Sequence, residues 1–139
     1  MKHDIAEILK EWPTSETENV RKITDLNGVE KVQVRVDQGA FQGILQMNLD
    51  GRPDGCRPHN RDFALDHHKD HQAQHIAQTG DDDQFSLSAD DCAELFEESF
   101  RVYQRYVFLL QIEDYTRVVR DTERNMEVFR FINRHAETE

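Results

Sequence analysis

Histidine is the residue type whose spacing in this chain could support metal chemistry. Four of the seven histidines fall between positions 67 and 75, and three of these, His67, His71 and His75, follow one another at intervals of four. On an α-helix this spacing places imidazoles on one face, where neighbouring rings can share a zinc or nickel ion. The pattern H-E-x-x-H is absent, and a closed site needs a ligand from another element. We therefore favour a solvated polar helix and keep a zinc or nickel site as the alternative.

A second candidate is the stretch "LDGRPDGCRPHNR" at residues 49–61, which concentrates glycine and proline. Pro53 at the second position of a type I turn and Pro58 at the exit predict a stiff corner between a sheet and a helical region. The same corner holds Arg52 and Arg57, and guanidinium groups suit bidentate recognition of a carboxylate or phosphate. We expect a structural corner first and a small-anion site as a further alternative.

Catalytic patterns are missing from the sequence. It has no G-x-S-x-G motif and no glycine-rich phosphate loop. Cys56 lies beside Arg57 and His59, which could lower its pKa, but a lone loop cysteine does not define a reaction. Carboxylates are numerous, and no two are singled out as an acid and a base. The sequence predicts a protein that is not an enzyme and has no cofactor.

Charge and cysteine content narrow the partners and the compartment. Seventeen basic residues against 28 acidic ones give a formal net charge of −11, which disfavours nucleic acid and anionic lipid surfaces. The two cysteines match no metal or redox spacing, so free thiols in a reducing compartment are expected. No apolar run reaches the length of a membrane span, and the first residues lack the core of a signal peptide. We expect a cytoplasmic protein.

Periodicity divides the chain into two regions. Asp4 begins a short amphipathic helix that Pro13 ends, and from Val20 to Leu49 the apolar period becomes two. Asn-Gly at 27–28 and the glycine of 37–40 are typical of hairpin turns. These features predict a short helix followed by a three-stranded antiparallel meander within residues 1–60.

Residues 61–139 carry helical patterns. A polar helix is expected over roughly 61–78, ended by Gly80, and Ser88 with Asp91 has the spacing of a capping box. Asp114 is an expected N-cap between two long helices, which must then form an antiparallel hairpin. The charged positions of the last helix are expected to be exposed. The fold class is therefore α+β, with a single domain at residues 1–139 in which the hairpin covers the meander.

The hairpin has more aromatic side chains than one helix–helix contact can bury. We expect the surplus to cover the sheet or to meet a partner. The residues predicted as a partner interface are Phe100, Tyr103, Phe108, Tyr115 and Phe131.

The hairpin turn "LLQIEDYTRVVRD", residues 109–121, resembles the UVR-type helical hairpin. Valines stand at Val118 and Val119 where that family usually has alanine. The resemblance implies contact between proteins and no catalysis. The segment around DGRPDG also resembles an uncharacterised bacterial family with a similar C-terminal hairpin, which implies a bacterial origin and one integrated domain.

Together these observations predict a small cytoplasmic, non-enzymatic interaction or adaptor protein. Its partner is expected to be another protein or a second copy of the chain bound through the C-terminal hairpin. Transition-metal binding by the histidine row and small-anion binding by the 50–58 loop remain the alternatives.

Overall fold

The computed structural model describes residues 2–137 and has the α+β architecture that the sequence predicts. Residue 1 and residues 138–139, the ends of the predicted domain, lie outside the described residues. A short helix is followed by three strands, a single 3-10 turn and three longer helices. Their bounds are α1 Ala6–Glu11, β1 Val20–Thr24, β2 Glu30–Gln38, β3 Phe41–Asn48, the 3-10 turn Pro58–Asn60, α2 Ala64–Thr79, α3 Ala89–Gln111 and α4 Tyr115–His135.

The strands form one antiparallel sheet in the order β1-β2-β3, which confirms the predicted meander. The first turn is closed by the amide of Gly28, which donates to the carbonyl of Asp25 at 3.1 Å, and Gly28 has a φ of +80° that favours glycine. At the second turn only Gly39 and Ala40 separate the two strands. Loop length and glycine position therefore set the register.

Caps that the sequence predicts lie at the starts of α3 and α4 and at the end of α2. Asp4 accepts a hydrogen bond from the amide of Ala6, beside the N-cap position at Ile5. Ser88 and Asp91 form the expected reciprocal capping box of α3, and Asp114 accepts from the amide of Arg117 at the start of α4. Gly80 ends α2 in the left-handed conformation, with a φ of 92°. The predicted boundaries at Ser88, Asp114 and Gly80 are confirmed, whereas the N-cap of α1 is Ile5 and not the predicted Asp4.

Two small apolar cores hold the chain together. One lies between α2, α3 and α4 and includes Leu65, Leu95 and Val128; the other lies beneath the sheet, where Val32, Leu49 and Leu109 meet. Residues from the start of α3 and the end of α4 build the first core. Residues near the α3–α4 turn build the second. The hairpin thus spans both cores, and polar side chains occupy the space between them.

The C-terminal end of α4 is fastened to the strand-like segment before α3. The amide of Leu87 donates to the carbonyl of His135 at 2.8 Å, and the amide of Glu137 donates back to Leu87 at 3.0 Å. Leu87 itself is buried in the first core. This bridge keeps the last helical turn, which would otherwise fray, packed against the body of the protein.

Removing the α3 cap tests the contribution of local capping to the fold. Ser88→Ala leaves the amide of Asp91 without its hydrogen-bond acceptor and is expected to lower the free energy of unfolding by about 1 kcal/mol. Urea denaturation followed by circular dichroism measures the change. Ser86→Ala, at an exposed serine two residues earlier, is the control and should be neutral. Equal effects of the two substitutions would contradict the capping role.

Candidate functional site

The loop at residues 49–58 is fixed by side chains of the hairpin. Arg105 of α3 is fully buried and makes two parallel hydrogen bonds to Asp121 of α4, each of 2.9 Å. Its remaining nitrogen donates to the carbonyl of Asn48, the last residue of β3, at 3.1 Å and to that of Gly51 in the loop at 2.6 Å. One guanidinium therefore joins α3, α4 and the end of the sheet.

Asp50 and Asp121 extend this network to the arginines of α4. Arg120 donates to Asp121 at 3.1 Å and to the carbonyl of Leu49 at 2.9 Å, and it also pairs with Asp50. Arg117 pairs with the same Asp50 at 3.0 Å, and these two arginines lower the pKa of the Asp50 carboxyl although partial burial opposes the shift. The expectation that the charged positions of α4 are all exposed is wrong at Asp121, which is completely buried.

Arg52, predicted as part of a small-anion site, is held inside the protein. Its guanidinium donates to Glu98 at 2.9 Å and lies 3.0 Å from Asp54. Glu98 is itself buried, and it accepts hydrogen bonds from the amides of Ala64 and Leu65 at the start of α2. Burial raises the pKa of Glu98 despite these donors. The carboxylate thus caps α2 and ties the loop to α3, a role that the sequence did not reveal.

Arg57, the other residue of the predicted anion site, has a different partner. Its side chain is exposed and lies 3.3 Å from Asp62. The turn itself is as expected, since the amide of Gly55 donates to the carbonyl of Arg52 at 2.9 Å and Pro53 is buried. Arg52 and Arg57 are thus each engaged by carboxylates. The geometry supports the corner interpretation of this loop, and anion binding stays a prediction.

The histidine row is only partly assembled. The rings of His67 and His71 lie 4.2 Å apart between centroids, whereas His75 lies against Phe85 at 6.0 Å. Within residues 2–137, no three histidine, cysteine, aspartate or glutamate side chains form a group that could hold a metal ion. The zinc or nickel alternative stays a prediction.

A different histidine cluster forms where the 3-10 turn meets α2 and α3. His59 has a φ of 53° and stacks on His67 with centroids 3.7 Å apart. His59 and His68 both direct Nε2 at Glu94, at 3.2 Å and 2.8 Å. Burial and the neighbouring imidazoles lower the pKa of His67, and hydrogen bonds from His68 and His59 lower that of Glu94 although burial opposes the shift. The cluster holds the 3-10 turn against α2 and α3.

The predicted partner residues separate into two groups. Phe100, Tyr103 and Tyr115 are about half exposed on the hairpin. Phe108 faces the sheet and lines an open cavity with Val34, and Phe131 is buried in the first core. The buried Phe131 presents no free surface to a partner, whereas the partly exposed Phe108 stays a predicted partner residue. Phe131 belongs to the first core, where its ring lies 6.1 Å from that of Phe85.

The exposed aromatics belong to a larger apolar surface, which we call the outer face. Its eight members are large apolar side chains with exposed fractions between 42% and 58%: Phe96, Phe100, Tyr103, Leu110, Tyr115, Val119, Met126 and Phe129. On each helix they are three, four or seven positions apart, which is the spacing of one helical stripe. The rings of Phe96 and Phe129 lie 6.2 Å apart, so the two stripes lie side by side. The hairpin thus has one buried side and one apolar side in solvent.

Comparisons of the chain with protein-family models, with curated proteins and with solved structures found no match. The resemblance to UVR-type hairpins and to the bacterial family with DGRPDG therefore stays a prediction. No helix within residues 2–137 combines the length and apolarity needed to cross a bilayer.

Breaking the Arg105–Asp121 pair tests whether it holds the loop. Arg105→Met leaves the Asp121 carboxylate buried without its main partner and is expected to lower the free energy of unfolding by about 3–5 kcal/mol. Arg101→Met, which removes a partly exposed pair with Asp54, should cost less than about 1 kcal/mol. The double variant Arg105→Met, Asp121→Leu should recover part of the loss. A cost below about 1 kcal/mol for Arg105→Met, measured by urea denaturation, would refute the role.

Mild acid should destabilise the fold. Burial lowers the pKa of His67 and of His135 below the ordinary value of 6.5. The unfolded chain regains the ordinary pKa and binds more protons there, so the free energy of unfolding falls as the pH drops from about 7 through the folded pKa values. Denaturation curves at pH 7.5, 6.5 and 5.5 measure this. His67→Gln should flatten the dependence and the exposed control His3→Gln should not; equal slopes in both variants would contradict the assignment.

Proposed function

We propose that this chain is a small non-enzymatic protein that associates with a second copy of itself through the outer face. The observation that supports the proposal is the continuous pair of exposed apolar stripes on α3 and α4. Neither the loop network nor the histidine cluster presents a free reactive group in a cleft. Nothing in the sequence, the described structure or the comparisons indicates an enzymatic activity.

The area of the outer face supports a stable partner. Eight large side chains, each about half exposed, present roughly 800 Å² of apolar surface, judged from the area that such side chains bury. The largest apolar patch on an ordinary monomer covers about 300–600 Å², whereas each partner in a stable interface contributes about 800 Å². The outer face therefore matches one half of a standard interface.

A second copy is the partner that fits this surface best. A two-fold axis brings the same apolar patch of two chains together, so a face that is apolar throughout is self-complementary. Two hairpins that pack face to face form a four-helix bundle, in which each helix buries a second stripe. The net charge of −11 on each copy repels a second copy as a whole, so the apolar contact of the outer face has to outweigh this repulsion.

We also propose a compartment and an origin for the protein. Cys56 and Cys92 are free thiols, which fits a reducing compartment, and we propose a cytoplasmic protein. The bacterial origin rests on the resemblance to the family with DGRPDG alone. These two points do not affect the test of the outer face.

Substitutions on the outer face should dissociate the dimer without unfolding the chain. Phe100→Ser combined with Val119→Ser removes apolar contacts near the centre of the face, and each change should raise the dissociation constant about thirtyfold if both are central contacts. Light scattering after size exclusion should report twice 16.4 kDa for the wild type and 16.4 kDa for the variant.

The matched control is Phe41→Ser. It removes an even more exposed phenylalanine, at 77%, from the start of β3, next to the β2–β3 turn. It should leave the mass of the dimer unchanged. Circular dichroism should show the same helix content for all three proteins. A wild type that stays at 16.4 kDa up to about 100 μM, well above a micromolar dissociation constant, would overturn the proposal.

A further inference from the structure

The outer face has two long edges, one along α3 and one along α4, which we call its rims. The two rims differ in charge. Glu97 follows Phe96 on α3, with a side chain 68% exposed, and Arg130 follows Phe129 on α4. The Phe96 and Phe129 rings lie 6.2 Å apart across the contact between the antiparallel helices, so Glu97 and Arg130, one residue further along each helix, differ by about 3 Å in position along the axis. The helical period places each of them on the rim that faces away from the other helix.

We propose that the second copy docks about a two-fold axis parallel to the hairpin helices, so that α3 of each chain packs on α4 of the other. This inference rests on the proposed self-association and names the residues that orient it. An axis in this direction keeps every residue at the same position along the helices. It places the α3 rim of one copy against the α4 rim of the other. Glu97 of each copy then lies beside Arg130 of the other, and the pair occurs twice.

The charges of the rims disfavour the other simple arrangement. In that arrangement the two-fold axis lies in the interface, perpendicular to the helices and through the centre of the face. It packs α4 of one copy antiparallel on α4 of the other. Glu123 lies midway between Val119 and Met126, so it would face its own symmetry mate. Like charges opposed across an interface are destabilising. With the parallel axis, Glu123 instead lies near the uncharged Gln104 of the other copy.

A cavity on the outer face fits the same arrangement. Phe96, Met126, Phe129 and Arg130 line an open cavity of about 510 Å³. Asn125 donates to the carbonyl of Ser99 at 3.0 Å, so Met126 and Phe100 lie at nearly the same height. The parallel axis therefore brings the exposed Phe100 of the other copy to this cavity. A phenyl ring entering an apolar recess is the usual form of an interface anchor.

The ion pair that Glu97 makes within its own chain does not prevent it from pairing with Arg130 of the other copy. Glu97 pairs with Arg101 one turn later on α3 at 3.1 Å, in an exposed position. Exposed pairs of this kind contribute about 0.2–1 kcal/mol. Glu97 can therefore accept a second guanidinium from the other chain, and Arg130 gains a carboxylate at the edge of the face.

A charge-reversal cycle on the full chain tests the orientation. Glu97→Arg alone and Arg130→Glu alone each place two like-charge pairs in the dimer and should weaken it about tenfold. The double variant Glu97→Arg, Arg130→Glu restores opposite charges and should return the dissociation constant to within about threefold of the wild type. Sedimentation equilibrium measures all four proteins, and Glu7→Arg on α1 controls for the change in net charge.

The possible results separate the orientation from the proposed function. Rescue in the double variant supports the parallel axis. A dimeric wild type in which the double variant is no tighter than the single variants overturns the orientation and leaves self-association through the outer face intact. A monomeric wild type overturns both.

Discussion

The guanidinium of Arg105 is where the sheet, the 49–58 loop and both helices of the hairpin meet. It lies between two small apolar cores, and the second core joins the same elements through Val32, Leu49 and Leu109, with Val118 of α4 packed against them. Its hydrogen bonds to Asp121 and to the carbonyls of Asn48 and Gly51 give each nitrogen of the buried guanidinium at least one acceptor. A buried pair of this kind adds little net stability over apolar packing, but removing one partner is costly. The pair therefore fixes which side of the hairpin faces inward.

The burial of the Arg105–Asp121 pair determines which side of the hairpin faces solvent. Because Arg105 and Asp121 point inward with Glu98 and Asn125, the hairpin packs on the rest of the chain partly through polar residues. The apolar stripe beside them, from Phe96 to Phe129, faces solvent. The hairpin thus leaves apolar side chains exposed because part of its inward side is polar. A second copy can cover these side chains, which the single chain leaves exposed.

Local rules predicted most of the fold. The period of two, the turn glycines and the caps at Ser88 and Asp114 act over a few residues, and the structure confirms the α+β class and the order of elements. The buried partners of Arg105 could not be read from the sequence because they lie 16 to 57 positions away. Asp121 lies among exposed charges of α4 in the sequence, although it is completely buried. Phe131 is buried in the first core, and its ring lies near Phe85, which is 46 positions away in the sequence. One signal existed: Asp121 and Asn125 fall on the same stripe as Val128 and Ile132, which indicates a polar helix–helix contact.

The proposed dimer forms through the outer face and through no other surface. An isotope-filtered NOE experiment on a mixture of labelled and unlabelled chain observes contacts between copies alone. We expect NOEs from the methyl groups of Leu110 and Val119 to aromatic rings of the other copy. NOEs that arise instead from Leu26 or Phe41, which are exposed on the sheet, would contradict the account, as would their complete absence in a sample of dimeric mass.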